Sequence, residues 1–186
     1  MKITEQFGQR LQGEPNGRRA FAVACEKLGG TKAGELVTLD FSDVLVVTAS
    51  WLSAMLLPLY RWAADDQTDL FFVIVYGEET EWLDDLRLVA RHNRKLFLIR
   101  PATAETQAVT LVGPIDDAER RTLMKIAELG EATGAMLERE CPEENIRATG
   151  WNNRLKDLCE KRVLRRVKRG REHVYSLVAR GMTIDG

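Results

Sequence analysis

The apolar and polar positions of this chain follow one rhythm over roughly the first hundred residues and another after it. Short continuous apolar runs first alternate with stretches in which apolar residues recur every three or four places, the signatures of buried strand and of helix. Residues 2–7 read as a short opening strand. Asn16 is placed to cap a helix carrying Ala20, Phe21, Ala24 and Leu28, stopped at Gly29-Gly30. LVTLDF (36–41) reads as a strand, and residues 50–64, apolar nearly all round, as a helix packed on two sides. LFFVIVYG (70–77) is too evenly apolar for a surface strand and predicts a central one. An amphipathic helix over 80–93 bears Trp82, Leu83, Leu86, Val89 and Ala90, and KLFLIR (95–100) is another buried strand. This alternation predicts an α/β fold with a partly parallel sheet.

Beyond a polar connector (101–107) and a short strand AVTLVG (108–113), the order becomes helix, helix, helix, hairpin. Asp116 or Asp117 caps a helix with Leu123, Ile126, Ala127 and Leu129 inward, ending at Gly130. Thr133 starts a shorter helix with Met136 and Leu137, closed by Pro142. The third runs over 145–161 with Ala148, Trp151, Leu155 and Leu158 on one side. The hairpin has strands at 163–168 and 171–177 and a turn at Arg169-Gly170. These patterns divide the chain into an α/β domain (1–104), a linker with a short strand (105–114), a mainly α domain with a hairpin (115–180) and a tail (181–186). The first domain is expected to fold alone.

Charge sharpens the division. The chain is nearly neutral, at −1, yet residues 147–180 carry eleven Lys or Arg against Asp157, Glu160 and Glu172. A local excess of eight suggests a segment that faces a polyanion, although a charge run is usually a solvated surface. Residues 44–60 carry no charge, but they number only seventeen and are broken by Pro58, which fits a strand leading into a helix better than a membrane span. Cys25, Cys141 and Cys159 show no CxxC spacing and no disulfide framework, and a cytoplasmic setting is expected.

The wet side of the third helix carries Thr149, Asn152, Asn153 and Lys156. Asn is a poor helix former, so two adjacent copies suggest that their amides are used. An amide that donates and accepts at once suits the edge of adenine in a major groove, and it also suits local capping or bridging. The hairpin adds Arg165, Arg166, Lys168, Arg169 and Arg171, the cations crowding toward its turn.

The run TGWNNRLKDLCEKRVLRRVKRGREHVYSL resembles the recognition helix and wing of the winged helix-turn-helix regulators of bacteria, over about residues 115–180. The resemblance implies binding to double-stranded DNA, commonly as a homodimer. It departs from the family at Arg162, where a glycine usually permits positive φ between helix and wing.

LVTLDFSDVLVVTASWLSAML resembles the STAS-like fold of sulfate transporters and anti-sigma factor antagonists, in its small bacterial variant, over about residues 1–100. The resemblance implies sensing or partner binding, with a kinase-like ATPase or sigma-control protein among the partners. In the antagonists a serine before the following helix is phosphorylated; Ala49 stands at that place. Thr48, Ser50 and Trp51 are left as a candidate regulatory loop, Ser50 being placed to cap the helix (Thr48 could serve instead) and Trp51 to wall a ligand or partner site.

No phosphate-binding glycine loop is present, and His92 and His173 lack metal-ligand spacing. No catalytic residue, cofactor or metal is expected. The reading is a DNA-binding transcriptional regulator with a STAS-like sensory domain; its rival is a non-enzymatic adaptor related to the anti-sigma factor antagonists.

Overall fold

Strand β2 (Leu36–Phe41) lies parallel to β4 (Phe71–Tyr76), and β4 lies parallel to β5 (Phe97–Pro101). β6 (Val109–Val112) then pairs antiparallel with β5, and β10 (Met182–Ile184) pairs parallel with β6. The five form one mixed sheet in the order β10-β6-β5-β4-β2. The computed structural model describes residues 1–65, 67–78, 81–104 and 108–184 of this mixed α/β chain.

Alternation along the central strands dictates two cores, because successive strand side chains point to opposite faces. Phe72, Ile74, Phe97, Ile99 and Val112 join one cluster with α2 (Glu14–Leu28), α3 (Ala49–Ala63) and α4 (Leu83–His92). Phe71, Val73, Leu96, Leu98, Val109 and Leu111 belong to a second, with Leu123, Ile126, Trp151, Leu155 and Leu158 of the C-terminal helices. The even apolarity of FFVIVY is thus the mark of a strand covered on both faces.

The C-terminal helices are α5 (Asp117–Leu129), α6 (Gly134–Glu140) and α7 (Ala148–Glu160), with a 3₁₀ turn at Pro142–Glu144. Asp116 caps α5 reciprocally with Glu119, and Thr133 caps α6 through the Met136 amide. Strands β8 (Leu164–Arg169) and β9 (Glu172–Leu177) form the hairpin, and the two-residue β7 (Glu131–Ala132) adds outside β9. Arg169 pairs with Glu172, so the turn residues are Gly170 and Arg171, one place beyond the expected pair. Gly170 alone of the two has positive φ, at 62°, as a turn with glycine first requires.

Several expectations are corrected. Residues 2–7 are not a strand: Lys2 makes one bridge to Asp40, and Thr4–Phe7 turns as the short helix α1. Gly13, not Asn16, is the N-cap of α2, with Pro15 in the first turn, where its missing N–H costs nothing; Asn16 donates from its amide to Gln12 O. The helix over 80–93 begins at Leu83, and Thr80 lies outside the described residues. Residues 109–112 and 182–184, expected in a linker and a tail, are strands of the main sheet, held by Val109, Leu111 and Val112 in its two cores. The linker's residues 105–107 are outside the described ones.

Among the described residues no helix is long and apolar enough to cross a membrane. Cys25, Cys141 and Cys159 are free thiols, each pushed up in pKa by burial.

Candidate functional site

Burying Trp151, Leu155 and Leu158 at spacings of four and three fixes the rotation of α7. Thr149, Asn152, Asn153 and Lys156 are consequently exposed. Asn152 and Asn153 are not equivalent. The Asn152 amide oxygen lies so close to Gly134, at the start of α6, that a Cβ there would overlap it and the Ala148 carbonyl. Asn152 belongs to the α6–α7 contact, which needs glycine at 134 for its closeness. Asn153 has no such neighbour among the described residues.

Capping of α7 was not foreseen from sequence. Arg147 is the N-cap residue, and its side chain makes no capping bond to the helix. Glu138, from α6, reaches across instead: Ala148 N donates to its Oε2 at 2.9 Å, and Arg147 Nη1 to its Oε1 at 3.1 Å. These bonds, the backbone one foremost, hold the Glu138 carboxyl below the ordinary carboxylate range. A carboxylate ten residues from the helix start has no local sequence signal, which is why reading along the chain missed it.

Hairpin alternation sorts the five hairpin cations. Arg166 lines a cleft of about 490 Å³ together with Asn152, Asn153, Lys156, Arg171 and His173. Lys168, on the same strand face as Arg166, pairs in register with His173. Arg165 goes the other way and stands over the ring of Phe71, 5.2 Å from its centroid. Arg169 is engaged by Glu131 at 2.5 Å. Among the described residues Arg166, Lys168 and Arg171 have no carboxylate partner, and Lys156 has a loose one, Glu160 at 3.7 Å. Thr149 is exposed one turn before Asn153.

Arg162 adopts the positive φ that glycine would take, at 64°. Its side chain is 12% exposed. It donates to Leu70 O at 2.6 Å, pairs with Asp69 Oδ1 at 2.9 Å and lies 4.0 Å above Phe71. A residue strained in its backbone is therefore held by three contacts with the edge of the α/β layer.

At the other end of α3, Thr48 and not Ser50 is the N-cap. Thr48 Oγ1 accepts from Trp51 N and from Gly13 N, both at 3.4 Å, with Ser50 Oγ 3.1 Å away. Trp51 is 1% exposed, edge-on to Phe7 and Phe41. It is a core residue whose remaining surface lines a cleft of about 400 Å³ with Phe7, Arg10 and Arg19, whereas Ser50 is exposed and lies outside that lining.

Compared with protein-family models, with curated proteins and with solved structures, the chain matches none of them.

Proposed function

We propose that the chain is a transcriptional regulator that binds double-stranded DNA through α7 and the β8–β9 hairpin, commonly as a homodimer, with its STAS-like portion sensing a signal or docking a partner. The observation that carries this reading is the convergence of Asn153, Lys156, Arg166 and Arg171 on one open cleft. Helix, short strand, two helices and a hairpin whose second strand pairs with the short one is also the order of a winged helix-turn-helix. A helix presenting amides and a hairpin presenting cations divide the work as DNA recognition needs: base edges for the first, phosphates for the second.

The rival, a protein-interaction adaptor, gains from one observation. Arg147, Arg154, Lys156, Lys161, Arg162 and Arg169 all have carboxylate partners, so the segment's excess charge is partly spent inside the molecule. Binding to duplex DNA titrated against salt separates the two. With Lys156, Arg166, Lys168 and Arg171 each neutralising a phosphate, the log-log slope is expected to be about −3 to −4 per chain, at about 0.9 per contact. Lys168→Glu with Arg171→Glu should weaken all sequences alike, and Asn153→Ala only the preferred one. A flat salt response would favour the adaptor.

A further inference from the structure

Two buried polar atoms near the seam between the layers have no hydrogen-bond partner: Tyr60 Oη and Arg162 Nε. Such groups are costly unless something satisfies them. Tyr60, in the last turn of α3, has 7% of its surface exposed, its ring packed on Phe72 and Phe97. Arg162 already uses both terminal nitrogens, on Leu70 O and Asp69, which leaves Nε over. The two residues line the same cleft, of about 660 Å³, with Leu57 and Leu96 as apolar walls. Burial raises the Tyr60 pKa, and the charge of Arg162 works against that rise, as closeness of the two requires.

Both atoms are donors with no acceptor, and both are sealed from solvent, so a ligand oxygen reaches them only where the walls of the cleft part. Around them Arg61, Arg94 and Lys95 line the cleft, and among the described residues none has a carboxylate partner. On the opposing side Glu119 is engaged by Lys161, while Asp157 and Glu160 stand on α7. A cleft with spare donors, free cations and apolar walls is complementary to a small anion with some apolar body.

We propose that this cleft is a binding site for a small organic anion, one carboxylate or phosphate oxygen of which accepts from Tyr60 Oη and Arg162 Nε while Arg61, Arg94 and Lys95 neutralise its charge. The ligand bridges the end of α3 to the end of α7, and its occupancy fixes the helix that carries Asn153 and Lys156. Only this last consequence rests on the DNA-binding reading.

The test is thermal unfolding of the full chain, without DNA, titrated with inorganic phosphate, pyrophosphate and citrate against sodium chloride at matched ionic strength. A saturable rise in Tm with at least one oxyanion is expected, phosphates and citrate separating the two headgroup chemistries. Tyr60→Phe should weaken the apparent affinity about tenfold. Arg61→Glu, an exposed change that leaves the core intact, should abolish the response, and Lys27→Glu, an equal charge change on α2, should leave it unaltered. Hydrogen exchange in residues 157–162 should slow when the anion is bound. Absence of any saturable response, a response that survives Arg61→Glu, or one that Lys27→Glu removes equally would overturn the proposal and leave a bridging water as the occupant. Failure of DNA binding alone would leave the anion site standing.

Discussion

Thr48 and Ser50 stand two residues apart at the start of α3, and only Thr48 bonds to its backbone. Thr48→Ala is therefore expected to cost about 1 kcal/mol of stability and Ser50→Ala close to nothing, by denaturant midpoints. Equal losses would mean that the two hydroxyls share the cap. Either residue type satisfies a cap motif, so the choice was open in the sequence; the position of Gly13 N, which also donates to Thr48, decided it. Arg162 teaches the same lesson. Its conflict with positive φ was legible in the sequence, but the direction of its side chain depends on Leu70 and Asp69, ninety residues away.

Among elements, strong periodicity translated directly: β2 has the expected bounds, and α3, α5 and the buried faces of α7 follow their apolar spacing. β1 (Arg10–Leu11), β3 (Val46–Val47) and β7 did not, since two residues carry no period. The hairpin shows the limit of alternation: it separated Arg165 from Arg166 but did not reveal that Phe71 waits beneath Arg165. Glu138 gives α7 a pH dependence of definite sign. Its carboxyl titrates lower when folded, so its contribution is full above the ordinary value of 4.5 and is lost as pH falls through the folded value. In acid melts followed by Tm, Glu138→Gln should be less stable than the parent near neutrality, with the difference shrinking below pH 4.5. A constant difference across that range would exclude this origin.

For the whole molecule, the covered sheet face decides what can fold alone. Residues 1–104 lack β6 and β10 and would bare Phe71, Val73, Leu96 and Leu98. At about 1.5 to 3 kcal/mol per buried side chain, those four represent roughly 6 to 12 kcal/mol, comparable to the 5 to 15 typical of a whole domain. The expectation from sequence is thus reversed: residues 1–104 should show no cooperative thermal transition where the full chain does. A cooperative melt would mean that the second core is dispensable. The pairing of β10 with β6 joins residues over seventy positions apart, and nothing local in a three-residue edge strand announces its partner.

That pairing has a mechanical consequence. The segment bearing α7 and the hairpin leaves the sheet after β6 and returns to it in β10, beside the start of β6. A module on a single tether swings freely in all directions and searches for its target as a ball on a string. One clamped at both ends and seated on the sheet through a shared core has no such freedom. Any shift of the sheet would be carried directly to α7 and the hairpin, which makes the α/β layer less a neighbour than a mount.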